Sequence, residues 1–290
     1  MFRLGIIGTE NSHALAFSKI INLPDPITGK RLYPDAKVIG AFGPDEKTAQ
    51  AIVDEAGADF VAASPEDFHG KVDAMIITNR KGSLHKQYAM PFIEKGLPMF
   101  IDKPFTSCPK EAEELITAAK KSGSKIAAGS ACKLAYDVLI LQKDVRQLIA
   151  SNKFVSSSIN FPADTSSEYD GFYFYAPHLV EMSLKIFGPG LKSVITTEKN
   201  NSRLCIWRYD NFDISLHFAK DVPSSATIYA KSGVIMRNID IFMIYDQGVR
   251  QFMHMLRTGE MPETYEEIIR PVQIIAAIEE SAKTGKEVAV

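Results

Sequence analysis

The sequence has no apolar run near the roughly 20 residues that a membrane-spanning helix requires, so no span is expected. Its first residues, "MFRLGIIG", lead into a strand and lack the layout of a signal peptide. Cysteine is scarce. Cys108, Cys132 and Cys205 stand far apart without metal-ligand spacing, as buried or idle thiols of a reducing compartment would. No metal site is expected. Neither sign of charge dominates: the net charge is −2, and no basic field favours nucleic acid or an anionic membrane. There is no internal repeat and no low-complexity segment. What remains is a cytoplasmic globular chain of 290 residues, 46% hydrophobic and 23% charged. That is enough for a sizeable core in one large or two ordinary domains.

Up to about residue 130 the chain alternates strand and helix signals. Short apolar runs without alternation ("RLGIIG", "AKVIGAFG", "DAMIITN", "PMFIDKP", "KIAAGS") are separated by helical patterns ("SHALAFSKIINL", "EKTAQAIVDEAG", "SLHKQYAMPFIEKG", "CPKEAEELITAAKKSG"). This predicts a Rossmann-type, doubly wound parallel sheet covered on both faces, with a ligand crevice at the carboxyl ends of its strands. After a helical stretch over 131–153, strands follow with few helices: "FVSSSINF", "KSVITTE", "SRLCIWRYD", "FDISLHFA", "SSATIYAKSG" and "NIDIFMIYD" at 238–246. "GFYFYAPHLVEMSLKIFG" reads as a helix, and helices close the chain at 247–258 and 263–284. The expected class is α/β, with domains at 1–129 and 130–290. The second is an α+β domain on a large, open, antiparallel-rich sheet.

The stretch "GIIGTENSH" (5–13) stands where a nucleotide-binding turn belongs, but departs from G-x-G-x-x-G. Gly8 keeps the first glycine, which permits the bend. Glu10 takes the second place, where backbone approaches a pyrophosphate, and His13 takes the third. A carboxylate ~4 Å from a phosphate charge would cost about 4 kcal/mol per pair at an effective dielectric near 20. Pointing to solvent, it would cost far less. His13 can supply a compensating charge or face solvent. Backbone N–H groups at the helix start, with Asn11 or Ser12 as cap, remain available to an anion. At the end of the second strand, Gly43 occupies the place of the ribose-binding acid and Asp45 follows two residues on. Asp45 reads either as a cofactor contact or as a helix cap, and the choice between NAD and NADP stays open.

Residues 72–106, "VDAMIITNRKGSLHKQYAMPFIEKGLPMFIDKPFT", resemble the glucose–fructose oxidoreductase / inositol dehydrogenase / MocA (Gfo/Idh/MocA) family. The features that carry the resemblance are Thr78-Asn79 after the third strand, His85 at the next helix and Asp102-Lys103-Pro104 after the fourth. "SKIAAGSACKL" and the C-terminal "FMHMLRTGEMPETYEEIIRPVQIIAAIEESAKTGKEV" are similar as well. The resemblance implies the two-domain plan just read and an NAD or NADP cofactor. It implies a Lys-Pro bond that is commonly cis, and a lysine near nicotinamide and substrate. Lys103 would then position or polarise the substrate hydroxyl, with Asp102 orienting it. The cofactor would be bordered by Gly8, Thr9, Glu10, Asn11, Ser12, Asp45, Thr78, Asn79, His85, Asp102 and Pro104.

The family often carries an aspartate four residues before a histidine on a helix of the second domain, one face holding both as an acid/base pair requires. Here the histidine is His178, but Phe174 stands at the aspartate's place. His178 reads as the acid/base relying on another residue, or as a structural helix-start histidine. Tyr173 and Tyr175 can contact substrate or belong to the core, and Lys133 can face the crevice.

Together these imply an NAD(P)-dependent oxidoreductase acting on a secondary alcohol or carbonyl of a sugar, polyol or related small metabolite. The residues expected to carry it are Lys103 and His178. The alternatives are a non-catalytic sensor or partner protein of the same fold, motivated by Glu10 and Phe174, and a cofactor-assisted elimination or hydrolysis. Family members often associate through the second-domain sheet, so a homodimer or homotetramer is expected.

Overall fold

The computed structural model describes residues 1–242 and 244–290. The chain divides into two compact units. One joins Met1–Gly129 with Tyr245–Ile269, the other Ser130–Ile244 with Arg270–Val290. The sequence reading assigned everything beyond residue 129 to the second domain.

In the first unit strands and helices alternate: β1 (Phe2–Ile7), α1 (Ser12–Asn22), β2 (Ala36–Phe42), α2 (Glu46–Ala56), β3 (Phe60–Val61), β4 (Ala74–Ile77), α3 (His85–Ile93), β5 (Met99–Asp102), α4 (Pro109–Ser122) and β6 (Ile126–Gly129). Every residue of β4, β5 and β6 is buried, as continuous apolar runs covered on both faces must be. Asn11 caps α1 by accepting from His13 N, and Pro109 opens α4, where a missing N–H costs nothing. The strands pair in parallel in the order β3-β2-β1-β4-β5-β6. This is the expected Rossmann-type sheet. Its order reverses between β1 and β4, the position at which doubly wound sheets open a ligand crevice.

The chain continues through α5 (Tyr136–Ala150), β7 (Phe154–Pro162), α6 (Ala176–Phe187), β8 (Ser193–Lys199), β9 (Ser202–Arg208), β10 (Asp213–Ala219), β11 (Ser225–Ala230), β12 (Gly233–Asn238), α7 (Ile244–Thr258), α8 (Tyr265–Thr284) and β13 (Val288–Ala289). The second sheet runs β12-β11-β7-β10-β9-β8-β13, antiparallel except for the β7–β10 pair. One face is core: Arg203, Cys205 and Trp207 alternate inward along β9, beside Leu216 and Phe218 of β10. The other face exposes Leu204, Tyr229, Val234 and Met236.

The strand expected at 238–246 is not formed; one of its residues, 243, lies outside those described. The strand is instead β12, which pairs with β11 as a hairpin. Asp240 then accepts from the Phe242 N–H at 2.8 Å, a local turn that ends extended chain. The apolar residues of "IDIFMIY" concealed a helix start. Val249, Phe252, Met253 and Met255 follow at helical spacing and enter the first unit's core with Leu4, Ile6, Phe17, Val38, Ile76 and Phe100. The Phe252 and Phe100 rings lie 5.8 Å apart.

That packing sets a test of stability. Phe252→Ala is expected to cost about 3–5 kcal/mol as a core truncation. Phe242→Ala, at a side chain 79% exposed, is expected to stay within about 0.5 kcal/mol. Urea unfolding followed by tryptophan-independent far-UV signal checks both.

Candidate functional site

The first cluster is built on the reversal between β1 and β4. Gly8 leaves β1 with φ +102°, and a Cβ there would lie 2.2 Å from the Asn79 N atom. Conformation and close approach both require glycine. Thr78 Oγ1 lies 3.0 Å from the Ile7 carbonyl and 3.1 Å from that of Gly8 and donates to them. Asn11 Nδ2 donates to Thr78 O at 2.9 Å while its Oδ1 caps α1. Thr78 and Asn11 are both buried. They stitch the turn to β4, with these polar atoms used inside the protein.

Glu10 turns toward β4. Its Oε1 accepts from Asn79 Nδ2 at 3.1 Å and from the Arg80 N–H at 3.3 Å. Glu10 Oε2 and Asn79 Oδ1 are buried with no hydrogen-bond partner. Thr9 meets Thr48 through their hydroxyls at 2.9 Å, Ser12 is exposed at the start of α1, and exposed Asp45 caps α2 by accepting from Lys47 N. The cap reading of Asp45 is thus realised.

His13 does not face solvent. Its Nδ1 lies 2.6 Å from Asp102 Oδ2, at the carboxyl end of β5. Burial pushes the Asp102 carboxyl up. The charge and hydrogen bond of His13, with Lys103 alongside, outweigh that and hold it below the ordinary aspartate range. Lys103 and Pro104 follow, both buried and joined by a cis bond. Beneath them His85 is 0% exposed, and its Nε2–H donates to Asn79 O at 2.8 Å. Burial pushes the imidazole pKa down, so His85 is neutral. Through that bond it supports the turn.

The second cluster lies wholly in the second unit. His178, in the first turn of α6, has its Nδ1 2.7 Å from Ser130 Oγ and 3.3 Å from Cys132 Sγ, with its ring 5.2 Å from that of Phe161. Glu181, one turn on, takes the Ser130 N–H at 2.9 Å and the Lys133 ammonium at 3.1 Å on the same oxygen. Lys133 is therefore paired inside the unit. Phe172 is core, packed on Phe218 and under the Arg203 guanidinium. Tyr173 and Tyr175 are half-buried. Sequence reasoning missed Ser130, Cys132 and Glu181. The signal was there for Glu181, the one acid in the apolar helix "APHLVEMSLKIF", three residues after the histidine. Among the described residues no group of His, Cys, Asp and Glu is arranged to hold a metal ion, and no helix is long and apolar enough to cross a membrane.

Comparison with known proteins agrees with this geometry. The Gfo/Idh/MocA family model, an oxidoreductase family with an NAD-binding Rossmann fold, matches residues 2–130. The chain is 31% identical over 100 residues to the scyllo-inositol 2-dehydrogenase (NADP(+)) IolU of Bacillus subtilis (strain 168). That match spans 34% of this chain and 29% of the relative. Among solved structures, GenD2 from gentamicin A biosynthesis, in complex with NAD, superposes with TM-score 0.84 at 13% identity, covering 100% of this chain and 96% of that one. The myo-inositol dehydrogenase of Lactobacillus casei, in complex with NAD(H) and myo-inositol, gives TM-score 0.80 at 14% identity, covering 100% and 97%. These likenesses are of fold. Over residues 2–130, the chain is similar to the Gfo/Idh/MocA oxidoreductase family.

Proposed function

We propose that the protein is an NAD(P)-dependent oxidoreductase that moves a hydride between the nicotinamide ring of NAD or NADP and a secondary alcohol or carbonyl of a sugar, polyol or related small metabolite. One observation carries this reading. Lys103 is a buried lysine at the carboxyl end of β5, beside an Asp102 carboxylate kept ionised by His13, in a domain of an NAD-binding family. The inositol dehydrogenases among its relatives support a polyol as substrate.

The residues present fit a dinucleotide. Gly8 leaves the turn without a Cβ, and Glu10 is bent toward Asn79 and Arg80. The unpartnered Glu10 Oε2 and Asn79 Oδ1 are acceptors, suited to ribose hydroxyls rather than to phosphate oxygens. Gly8, Thr9, Glu10, Ser12 and Asn79 would hold the cofactor, with Asp45 at the adenosine ribose. The first unit serves the cofactor, and the second serves substrate and assembly.

When bound, the nicotinamide ring supplies the hydride acceptor or donor. Lys103 donates a hydrogen bond to the reacting oxygen and draws electron density from it. His178 takes the proton that a hydroxyl loses as its carbon gives up hydride, so the alcohol becomes a ketone; the reverse direction returns both. Tyr173 and Tyr175 contact substrate, and Lys133 shapes that region through Glu181. The enzyme works in the cytoplasm as a homodimer or homotetramer through the open face of the second sheet. Exposed Leu204, Tyr229, Val234 and Met236 support such contact. Phe174, standing where the family's aspartate is expected, favours a second reading, a ligand-binding sensor without turnover.

Titration with NAD, NADH, NADP and NADPH is expected to give saturable binding of at least one. Lys103→Met should keep that binding and lower turnover of inositols or related polyols roughly 100-fold or more. Failure of all four nucleotides to bind overturns the reading. Binding without turnover on any polyol, sugar or ketone favours the sensor. For Asp102 the sign follows from its depressed pKa. Its contribution to stability is complete above the ordinary aspartate value and is lost as pH falls below about 4. His13→Ala should raise the Asp102 pKa and move acid unfolding to higher pH, as carboxyl NMR and acid titration would record. Light scattering at micromolar concentration should report two or four copies. Met236→Asp should reduce it to one.

A further inference from the structure

The third glycine place of the turn is filled by His13, the second residue of α1. A glycine there offers no side chain. This imidazole does, and it is directed. Its Nδ1 lies 2.6 Å from Asp102 Oδ2, at the carboxyl end of β5. Asp102 is buried and held ionised, so its oxygens only accept. The proton between the two atoms therefore belongs to Nδ1, whatever the charge on the ring.

That bond leaves the other nitrogen for a ligand. Nε2 takes no hydrogen bond within the protein among the described residues. The ring is steadied by Phe17 and Tyr245, whose centroids lie 5.8 Å and 4.7 Å away. Yet 15% of the side chain stays exposed. An imidazole anchored at one nitrogen, packed by two aromatic rings and unpaired at the other nitrogen is oriented as a ligand-contacting group must be.

The backbone beside it makes a side-chain contact useful. The Asn11 N–H donates to Gly8 O at 3.2 Å, the His13 N–H to Asn11 Oδ1 at 3.1 Å and the Ala14 N–H to Asn11 O at 3.0 Å. These are donors that the start of a helix otherwise offers to a bound group. His13 also reaches from α1 to β5, which lies on the other side of β1 from β2. Asp45 stands beyond β2, capping α2. A dinucleotide lying across the crevice sets one ribose on each side of the reversal. His13 is on the side away from the adenosine ribose that Asp45 would meet.

We infer that His13 is a cofactor-contacting residue: with its Nδ1–H held by Asp102, its Nε2 hydrogen-bonds a hydroxyl of the ribose that carries the nicotinamide. This rests on the reading of the first unit as a dinucleotide site. A hydroxyl suits Nε2 in either charge state, since it donates to the neutral ring and accepts from the charged one. A phosphate oxygen can only accept. That ribose is common to NAD and NADP, so the contact adds affinity without choosing between them.

His13→Asn separates this contact from support of Asp102, because its amide N–H stands in for Nδ1–H while nothing stands in for Nε2. Native and variant proteins are titrated with NADH, NADPH, ADP-ribose and ADP, the last two in phosphorylated form where NADPH is the ligand. His13→Asn should weaken the reduced nucleotide and ADP-ribose about tenfold, leave ADP within about twofold, and keep the native midpoint of acid unfolding. His13→Ala should weaken the same two ligands and also move that midpoint to higher pH. Nitrogen NMR of histidine-labelled protein should show His13 protonated at Nδ1 in the free protein, and its Nε2 signal should shift on addition of ADP-ribose. The inference is overturned if His13→Asn binds ADP-ribose as the native protein does, if ADP weakens equally, or if the free protein carries the ring proton on Nε2 alone. Should the native protein bind no nucleotide, the dinucleotide reading falls and this inference with it. Equal binding by native protein and His13→Asn sinks the inference and leaves that reading standing.

Discussion

The candidate site of the first unit depends on one close approach of backbone to backbone, that of Gly8 to Thr78 and Asn79 where the strand order reverses. No side chain fits between them: a Cβ on Gly8 would meet the Asn79 N at 2.2 Å. Because the two chain segments are that near, short side chains can stitch them. Thr78 reaches back to the β1 carbonyls, Asn11 reaches across to Thr78, and Glu10 reaches Asn79. Each bond uses a polar group that would otherwise be buried without a partner, which is costly. The turn is therefore determined by its neighbours as much as by its own glycine, and it tolerates Glu10 and His13 at the other two glycine places.

Buried charge is disposed in the same spirit. A buried ion pair is seldom more stable than well-packed apolar side chains of equal volume. Yet the second unit contains one, Lys133–Glu181, and the first sets the half-buried His13 imidazole against buried Asp102. Stability alone does not explain them. Each fixes the direction of a neighbour instead: Asp102 precedes Lys103 in the chain, and Glu181 holds the Ser130 N–H as well as Lys133. Such pairs convert electrostatic energy into orientation, which a reacting group needs to within fractions of an ångström.

Most of the fold was legible in the sequence because buried parallel strands read as unbroken apolar runs and capped helices announce their ends. The exceptions have physical causes. β3 has two residues, too few for a pattern, and pairs only through Gly40 and Ala41 of β2. The stretch before α7 is rich in the β-branched and aromatic residues of a strand, and its Asp240 turn is a side-chain event that composition cannot reveal. Site residues carried by local motif, such as Gly8 and Asp102-Lys103-Pro104, were legible. Their partnerships were not. His13 meets Asp102 across 89 residues, and Ser130 meets His178 across 48. Such pairs exist only once the chain has folded.

The two departures from the family pattern have a common logic. Glu10 adds a charge where a glycine is usual, and Phe174 removes one where a carboxylate is usual. In the first case the added carboxylate is bound by Asn79 and the Arg80 N–H, which turns one of its oxygens toward β4. In the second, a hydroxyl from another element, Ser130 Oγ, lies 2.7 Å from the imidazole of His178. Neither answer is a like-for-like replacement. A carboxylate in the turn repels other negative charge, whereas a serine hydroxyl beside an imidazole adds a hydrogen bond and no charge. Each substitution is met by polar groups of neighbouring segments, Asn79 and the Arg80 N–H at Glu10 and Ser130 beside His178, so its effect depends on contacts made across the fold.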